Sequence, residues 1–273
     1  LIVIGHAWLN DTEGRVVDPQ SRIKLNQTTL PKFAILNKEY TNLTAKLNYF
    51  IQAGVDVIFS HHHEIDRYRS ATGIECVFWP FAFDGRRHRE SRGDKTIDLA
   101  FSGILQNQNQ LAIQSDIRVR IMKNIFHCIG DVPLRKKSAY KHLEIVFNSI
   151  SRSRPSYYLA AVLRKRRYLD IEQYLTLQQS AKVFLNTLSP LGLVSPRYFE
   201  SMASKSVVLC ESSDIYKNIF PEGVMVSFNP DLSDFEERLI SLLAAPEELK
   251  NISARAYELV VKEHTWECRI NSF

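Results

Sequence analysis

The chain is poor in cysteine, with four in 273 residues. Cys76, Cys128, Cys210 and Cys268 stand far apart and form no CxxC pair. That spacing excludes a disulfide framework and a zinc site, and fits inert thiols in a reducing, cytoplasmic compartment. No apolar run approaches the roughly 18 residues that a membrane-spanning helix needs. Leu1 to Asn10 is too short, and too polar at its end, to be a signal peptide, so the Asn-x-Ser/Thr triplets carry no weight. Internal repeats and low-complexity tracts are also missing. The chain opens on Leu1 instead of Met, which suggests a fragment or a trimmed piece.

Hydrophobic residues make up 45% of the chain and charged residues 24%, a balance that excludes a disordered protein. The length suits one large domain or two modest ones. The net charge is only +5, but its distribution is uneven. From Arg118 to Arg167 there are 13 Lys/Arg against two acids, Asp131 and Glu144, so the rest of the chain is net negative. A block of one sign calls for an anionic partner or forms a solvated face.

Periodicity gives an alternating pattern. Leu1 to Gly5 reads as a buried strand, Phe33 to Leu36 as a second, and Val55 to Phe59 as a third. A helix over Asn42 to Gln52, stopped at Gly54, separates the second and third. A short helix at Ile65 to Ser70 leads to a strand at Cys76 to Trp79. The charged stretch 86–95 reads as an interdomain linker. The pattern then restarts with a strand at Ile97 to Phe101, a turn at Ser102-Gly103 and a helix over Asp116 to Phe126. A helix over Ile171 to Ser180, a strand at Val183 to Asn186, a helix over Ser195 to Ser204 and a strand at Val207 to Cys210 follow. Two amphipathic helices close the chain, the first with a capping box of Ser233 and Glu236. Such alternation predicts parallel sheets covered on both faces.

Ser189 to Ala203 holds the most informative residues. Ser195 suits an N-cap and Pro196 the first helical position. A helix N-terminus favours anions, and Arg197 in its first turn adds a charge-assisted grip. Glu200, three residues on, could accept hydrogen bonds from paired hydroxyls such as those of a ribose. The same residues could equally form an ordinary helix with a surface ion pair. His6, after the first strand, could serve as a general base or be a plain loop residue. His61, His62 and His63 are adjacent, so they cannot all face one ion, and no metal site is expected. Arg164 to Arg167 could be a solvated face, an anionic-membrane contact or a nucleic-acid contact. No nucleic-acid-binding motif accompanies that run.

The second half resembles the donor-binding domain of GT-B-fold glycosyltransferases, in the spore-protein-type branch with "glycosyl transferase family 1"-like C-termini. The matching stretches, in order, are Ile97 to Gly103, Ser180 to Asn186, Arg197 to Ala203, Val207 to Cys210 and Lys262 to Arg269. Val55 to Phe59 and Phe78 to Asp84 resemble the end of the family's N-terminal domain. The resemblance implies an α/β chain of two Rossmann-like domains facing a cleft. These are a short or truncated acceptor-side domain over 1–85, the linker, and a donor-binding domain over 96–273. It implies transfer of a sugar from a nucleotide-diphosphate donor to a glycan, lipid or protein acceptor. Arg197 would contact the diphosphate, Glu200 the ribose, and Gly103 would lie near the phosphates. Arg118 and Arg120 could also face them. No cofactor and no metal are expected, since no Asp-x-Asp pair is present to hold a cation. Two features depart from the family pattern. Gly192 stands where many relatives carry glutamate, and the N-terminal domain has too few strands. The alternative is a non-catalytic α/β module that binds nucleic acid or another polyanion through the 118–167 block. Location is expected to be cytoplasmic, with peripheral contact to an anionic membrane.

Overall fold

In the computed structural model, residues 1–5, 25–37, 42–88, 93–105, 117–121, 133–137, 143–151, 169–189 and 192–271 are described. Statements of absence below refer to these residues. The chain divides into two units, Leu1–Pro80 with Leu191–Leu193, and Phe81–Pro190 with Val194–Phe273.

The first unit carries a parallel sheet of β1 (Ile2–Ile4), β2 (Lys32–Leu36), β3 (Val57–Ser60) and β4 (Glu75–Phe78), paired in chain order. Helices α1 (Leu43–Ala53) and α2 (Ile65–Thr72) connect the strands. Gly54 ends α1 at φ 65°, a left-handed position that glycine adopts without steric cost. Leu36, Phe50, Ile58 and Tyr68 are buried in a single core with the first strand.

The second unit has six strands: β5 (Ile97–Leu105), β6 (Pro133–Lys137), β7 (Glu144–Ser151), β8 (Ala181–Leu185), β9 (Val207–Glu211) and β10 (Val226–Phe228). Their order is β10-β9-β8-β5-β7-β6, all parallel except β6 against β7. From β5 the chain fills one side with β7, then returns to the other side with β8. The strand order therefore reverses at β5, and in open α/β sheets ligands bind at that switch point, outside the carboxyl ends of the strands.

Side chains alternate across this sheet. Leu99, Phe101, Val183, Leu185, Val207 and Leu209 pack on α6 (Phe235–Ala244) and α7 (Pro246–Glu263). On the opposite face, Ala100 and Phe184 pack near α4 (Ile171–Ser180), and Val208 and Cys210 near α5 (Pro196–Ala203). Both faces are buried, as the β-branched and aromatic runs predict.

Three local expectations need correction. In the stretch 86–95, expected as a linker, the described residues His88 and Lys95 are tied into the second unit. Lys95 Nζ donates to the carbonyls of Gln179 (3.1 Å), Ala181 (2.8 Å) and Ser204 (3.0 Å), and contacts Ser206 Oγ at 3.3 Å. It thereby clips together the C-terminal ends of α4 and α5, where a cation suits the helix dipoles. Burial pushes its pKa down to about 8, and these four oxygens compensate by solvating the ammonium. The Ser233/Glu236 capping box does not form, because Asp234 is the N-cap of α6 and its Oδ1 accepts from Asn229 N at 2.6 Å. A capping box forms instead at Asp170 and Gln173, opening α4. Finally, β5 runs through Gly103 to Leu105, so Gly103 is a strand residue, paired with Ser149.

The second unit is closed where it begins and ends. Phe83 pairs with Thr265: its N–H donates to His264 O (3.1 Å), and Trp266 N–H donates to Phe83 O (3.2 Å). Thr265 Oγ1 accepts from Cys268 N at 3.1 Å at the start of α8 (Trp266–Asn271). The His264 ring packs on Phe199 of α5, centroids 5.0 Å apart, and its Nδ1 accepts from Arg269. Burial, then the Arg269 charge, hold its pKa down to about 4. A histidine kept neutral in the native state, but ordinary when unfolded, binds fewer protons folded than unfolded between these two pKa values. The second unit should therefore lose about 3 kcal/mol as pH falls from about 6.5 to about 4. Urea titrations followed by circular dichroism across that range should show the loss. They should show less of it in His264→Phe than in the wild type.

Candidate functional site

Helix α5 delivers the two residues singled out in the sequence. Ser195 is extended (φ −75°, ψ 161°), the conformation that a following proline imposes, and Pro196 opens the helix. The Ser195 side chain makes no cap bond to the backbone; its Oγ lies 3.4 Å from Arg197 Nε. Asn186, buried at the end of β8, steadies this turn through Nδ2, which reaches Arg197 O (3.4 Å) and Ser201 Oγ (3.3 Å).

The Arg197 side chain crosses to β5, where Nη1 donates to Ser102 O at 2.5 Å. It lies directly on Gly103. A Cβ at that position would collide with the guanidinium and come within 3.1 Å of Phe101 Cζ. Glycine leaves this space to the guanidinium, which a larger residue would push aside. Among the described residues Arg197 makes no ion pair with a carboxylate. Burial, and next the positive charge of Arg118, lower its pKa from the ordinary arginine value. Arg118, on the short helix α3 (Ile117–Arg120) and 5% exposed, adds a second positive charge there, which also acts on the Glu211 carboxylate. Two cations sharing a poorly solvated site repel each other, and a bound anion would relieve that repulsion.

Glu200 lies one turn along α5. Its Oε2 accepts from Tyr174 OH at 2.7 Å, and Tyr174 OH accepts from Gln178 Nε2 at 2.8 Å. Burial, then the nearby Glu200 charge, push the Tyr174 phenol well above its usual pKa, so it remains a donor. His88 Nε2 stands 3.7 Å from Glu200 Oε1. Sequence reasoning missed Tyr174, Gln178 and His88. Tyr174 and Gln178 lie four apart on one helix face, and that spacing was the only signal available.

Deeper in the unit, Glu211 ends β9. Its Oε1 accepts from Leu188 N at 2.8 Å, and Tyr216 OH reaches its Oε2 at 3.4 Å. Tyr216 OH also meets Tyr198 OH at 2.7 Å, so this carboxylate is consumed in holding the ends of β8 and β9. Burial raises its pKa.

Other candidates go elsewhere. Arg120 does not join Arg118: its Nη1 and Nη2 donate to the carbonyls of Pro230 and Asp231, both at 3.0 Å. Residues two apart on a helical turn face different directions, which corrects their joint assignment. Gly192 has φ 74°, so a glutamate there would be strained in the left-handed region. His6, Arg164 to Arg167 and most of the 118–167 block lie outside the described residues.

In the first unit the three histidines have separate tasks. His61 Nδ1 lies 2.7 Å from Trp79 O, and its ring stacks on the indole at 5.7 Å. His62 Nδ1 accepts from Glu64 N at 3.1 Å, and His62 stacks on His63 at 4.7 Å. Among the described residues no group of three or more His, Cys, Asp or Glu is placed to hold a metal ion. No helix among them is long and apolar enough to cross a membrane.

A family model described as glycosyl transferase-like matches residues 121–273, more than half of the chain. The chain belongs to the glycosyl transferase-like family. This glycosyltransferase has solved structural relatives of the GT-B fold. Sucrose-phosphate synthase from Thermosynechococcus elongatus aligns at TM-score 0.56 and 12% identity, covering 90% of this chain and 67% of that one. HepE from Anabaena, in complex with UDP and glucose, aligns at TM-score 0.59 and 9% identity, covering 89% and 70%. TarM aligns at TM-score 0.56 and 11% identity, covering 93% of this chain and 52% of that one. At these identities the likeness shows the fold. No curated protein matches in sequence.

The contact between Gly103 and Arg197 gives a direct test. Gly103→Ala should leave the circular-dichroism melting curve nearly unchanged, since a flexible side-chain end can move aside. It should weaken pyrophosphate binding about tenfold in calorimetry, because the displaced guanidinium loses a charge-assisted contact.

Proposed function

We propose that this glycosyltransferase moves a sugar from a nucleotide-diphosphate donor to a glycan, lipid or protein acceptor, without needing a metal. The observation that carries the reading is Arg197, lying on Gly103 beside Arg118 at the switch point of the second sheet. Breaking the bond between sugar and diphosphate leaves negative charge on the leaving phosphate oxygen. Two guanidiniums fixed before the reaction can stabilise that charge with little reorganisation. They supply the positive charge that a cation provides in metal-dependent transfer, which supports metal independence. Glu200, with Oε2 already held by Tyr174, has Oε1 to offer to the ribose hydroxyls. HepE has been solved with UDP-glucose, which makes a uridine donor the first to try.

The reading is tested by calorimetry with UDP, GDP and dTDP and their hexose conjugates. At least one should bind. Arg197→Ala should weaken it about a hundredfold, the worth of a lost charge-assisted grip on phosphate. Glu200→Gln should weaken a ribonucleotide about tenfold and leave pyrophosphate unchanged. No binding by any nucleotide, or binding indifferent to Arg197, overturns the assignment.

A further inference from the structure

His88 sits at Glu200 Oε1, the oxygen that Tyr174 does not take. After β4 the chain turns tightly: Asp84 O accepts from Arg87 N (3.1 Å) and His88 N (3.0 Å), and Asp84 Oδ1 accepts from Arg86 N (3.0 Å). This turn carries the imidazole inside the second unit, where its side chain is 4% exposed. The Phe83 ring meets it edge-on at 6.2 Å. Nδ1 is buried with no hydrogen-bond partner among the described residues. Nε2, at 3.7 Å from Glu200 Oε1, is too distant for a hydrogen bond yet within ion-pair range if the ring gains a proton.

Resting on the reading of Glu200 as the ribose ligand, we propose that His88 is its positioning residue. The neutral ring leaves Oε1 open to ribose hydroxyls, whereas the protonated ring closes on Oε1 and displaces them. The groups around the ring set the direction. Burial disfavours the charged form most strongly, and Arg87 acts the same way. Glu200, a hydrogen bond with Gln178 and then Asp84 favour it, and Tyr174 brings no charge. The sum holds the ring's pKa below the ordinary histidine value, so it is neutral at neutral pH. Affinity for a nucleotide sugar is therefore full at neutral pH and falls on acidification. A ribose-free ligand such as pyrophosphate does not engage this switch.

The experiment is calorimetry with a nucleotide sugar, UDP-glucose first and then GDP-hexoses, at several values from about pH 5 to about pH 8. Wild-type protein should bind about tenfold more weakly at the acid end. His88→Gln keeps an amide at the Nε2 position and does not titrate. It should bind within about threefold of wild type at neutral pH and show a flat profile, and His88→Asn should do the same. Melting curves at each pH establish that each protein is folded during the measurement. Parallel profiles for wild type and both variants overturn the role of His88 while leaving the donor reading intact. Failure of every nucleotide sugar to bind at any pH overturns the donor reading, and this inference with it.

Discussion

A buried positive charge with no carboxylate in ion-pair contact among the described residues governs the second unit. Arg197 is drawn out of water to lie on Gly103, held by the Ser102 carbonyl and crowded by Arg118. Burying such a charge costs free energy, and neighbouring structure must keep it in place. Pro196 and Ser195 set the angle at which α5 begins. Asn186 holds the first turn of that helix, and Lys95 binds its far end to α4. His264 supports it from the side, through the ring of Phe199. The helix is fixed at both ends and along one face because its cargo is electrostatically uncomfortable without an anion.

The parts of the site that were legible in the sequence are those governed by local chemistry. A serine before a proline, an arginine in the first turn and a glutamate one turn later mark the start of a helix, and α5 opens at Pro196. The alternating strands were legible for the same reason, since burial on two faces leaves long β-branched runs. Residues that act through the tertiary fold were not legible. Tyr174 and Gln178 are 26 and 22 positions from Glu200, and nothing near them signals a carboxylate partner. His88 lies in a stretch whose charge density reads as a linker, and burial reverses that meaning. Arg118 and Arg120 were indistinguishable until the helical turn sent one inward and the other to Pro230 and Asp231. The capping motif at Ser233 and Glu236 failed because Asp231 and Asp234 take the local N–H groups first.

The first unit illustrates a different point. A run of three histidines invites a metal, yet each ring is already occupied by stacking or by a backbone partner. His61 turns to Trp79 while His62 and His63 stack on each other, so the three rings do not converge on one point. The two halves therefore differ in how they use polar side chains. The first unit uses its histidines to fasten the end of β3, whereas the second converges its polar groups on the carboxyl ends of β5 and β8.

The alternation across the second sheet acts as a partition. Gly103 shares a strand face with Leu99 and Phe101, so the guanidinium that fills its Cβ position rests on the face that also packs α6, α7 and the short helix carrying Arg118. Positions 184, 208 and 210 face the side of α4 and α5, from which Tyr174 and Glu200 meet. A change of one methylene on either face would be transmitted to one half of the site through tightly packed neighbours. Evolution can thus adjust the cationic half and the carboxylate half in separate compartments of one domain, which would let a family keep a common scaffold while changing what it binds.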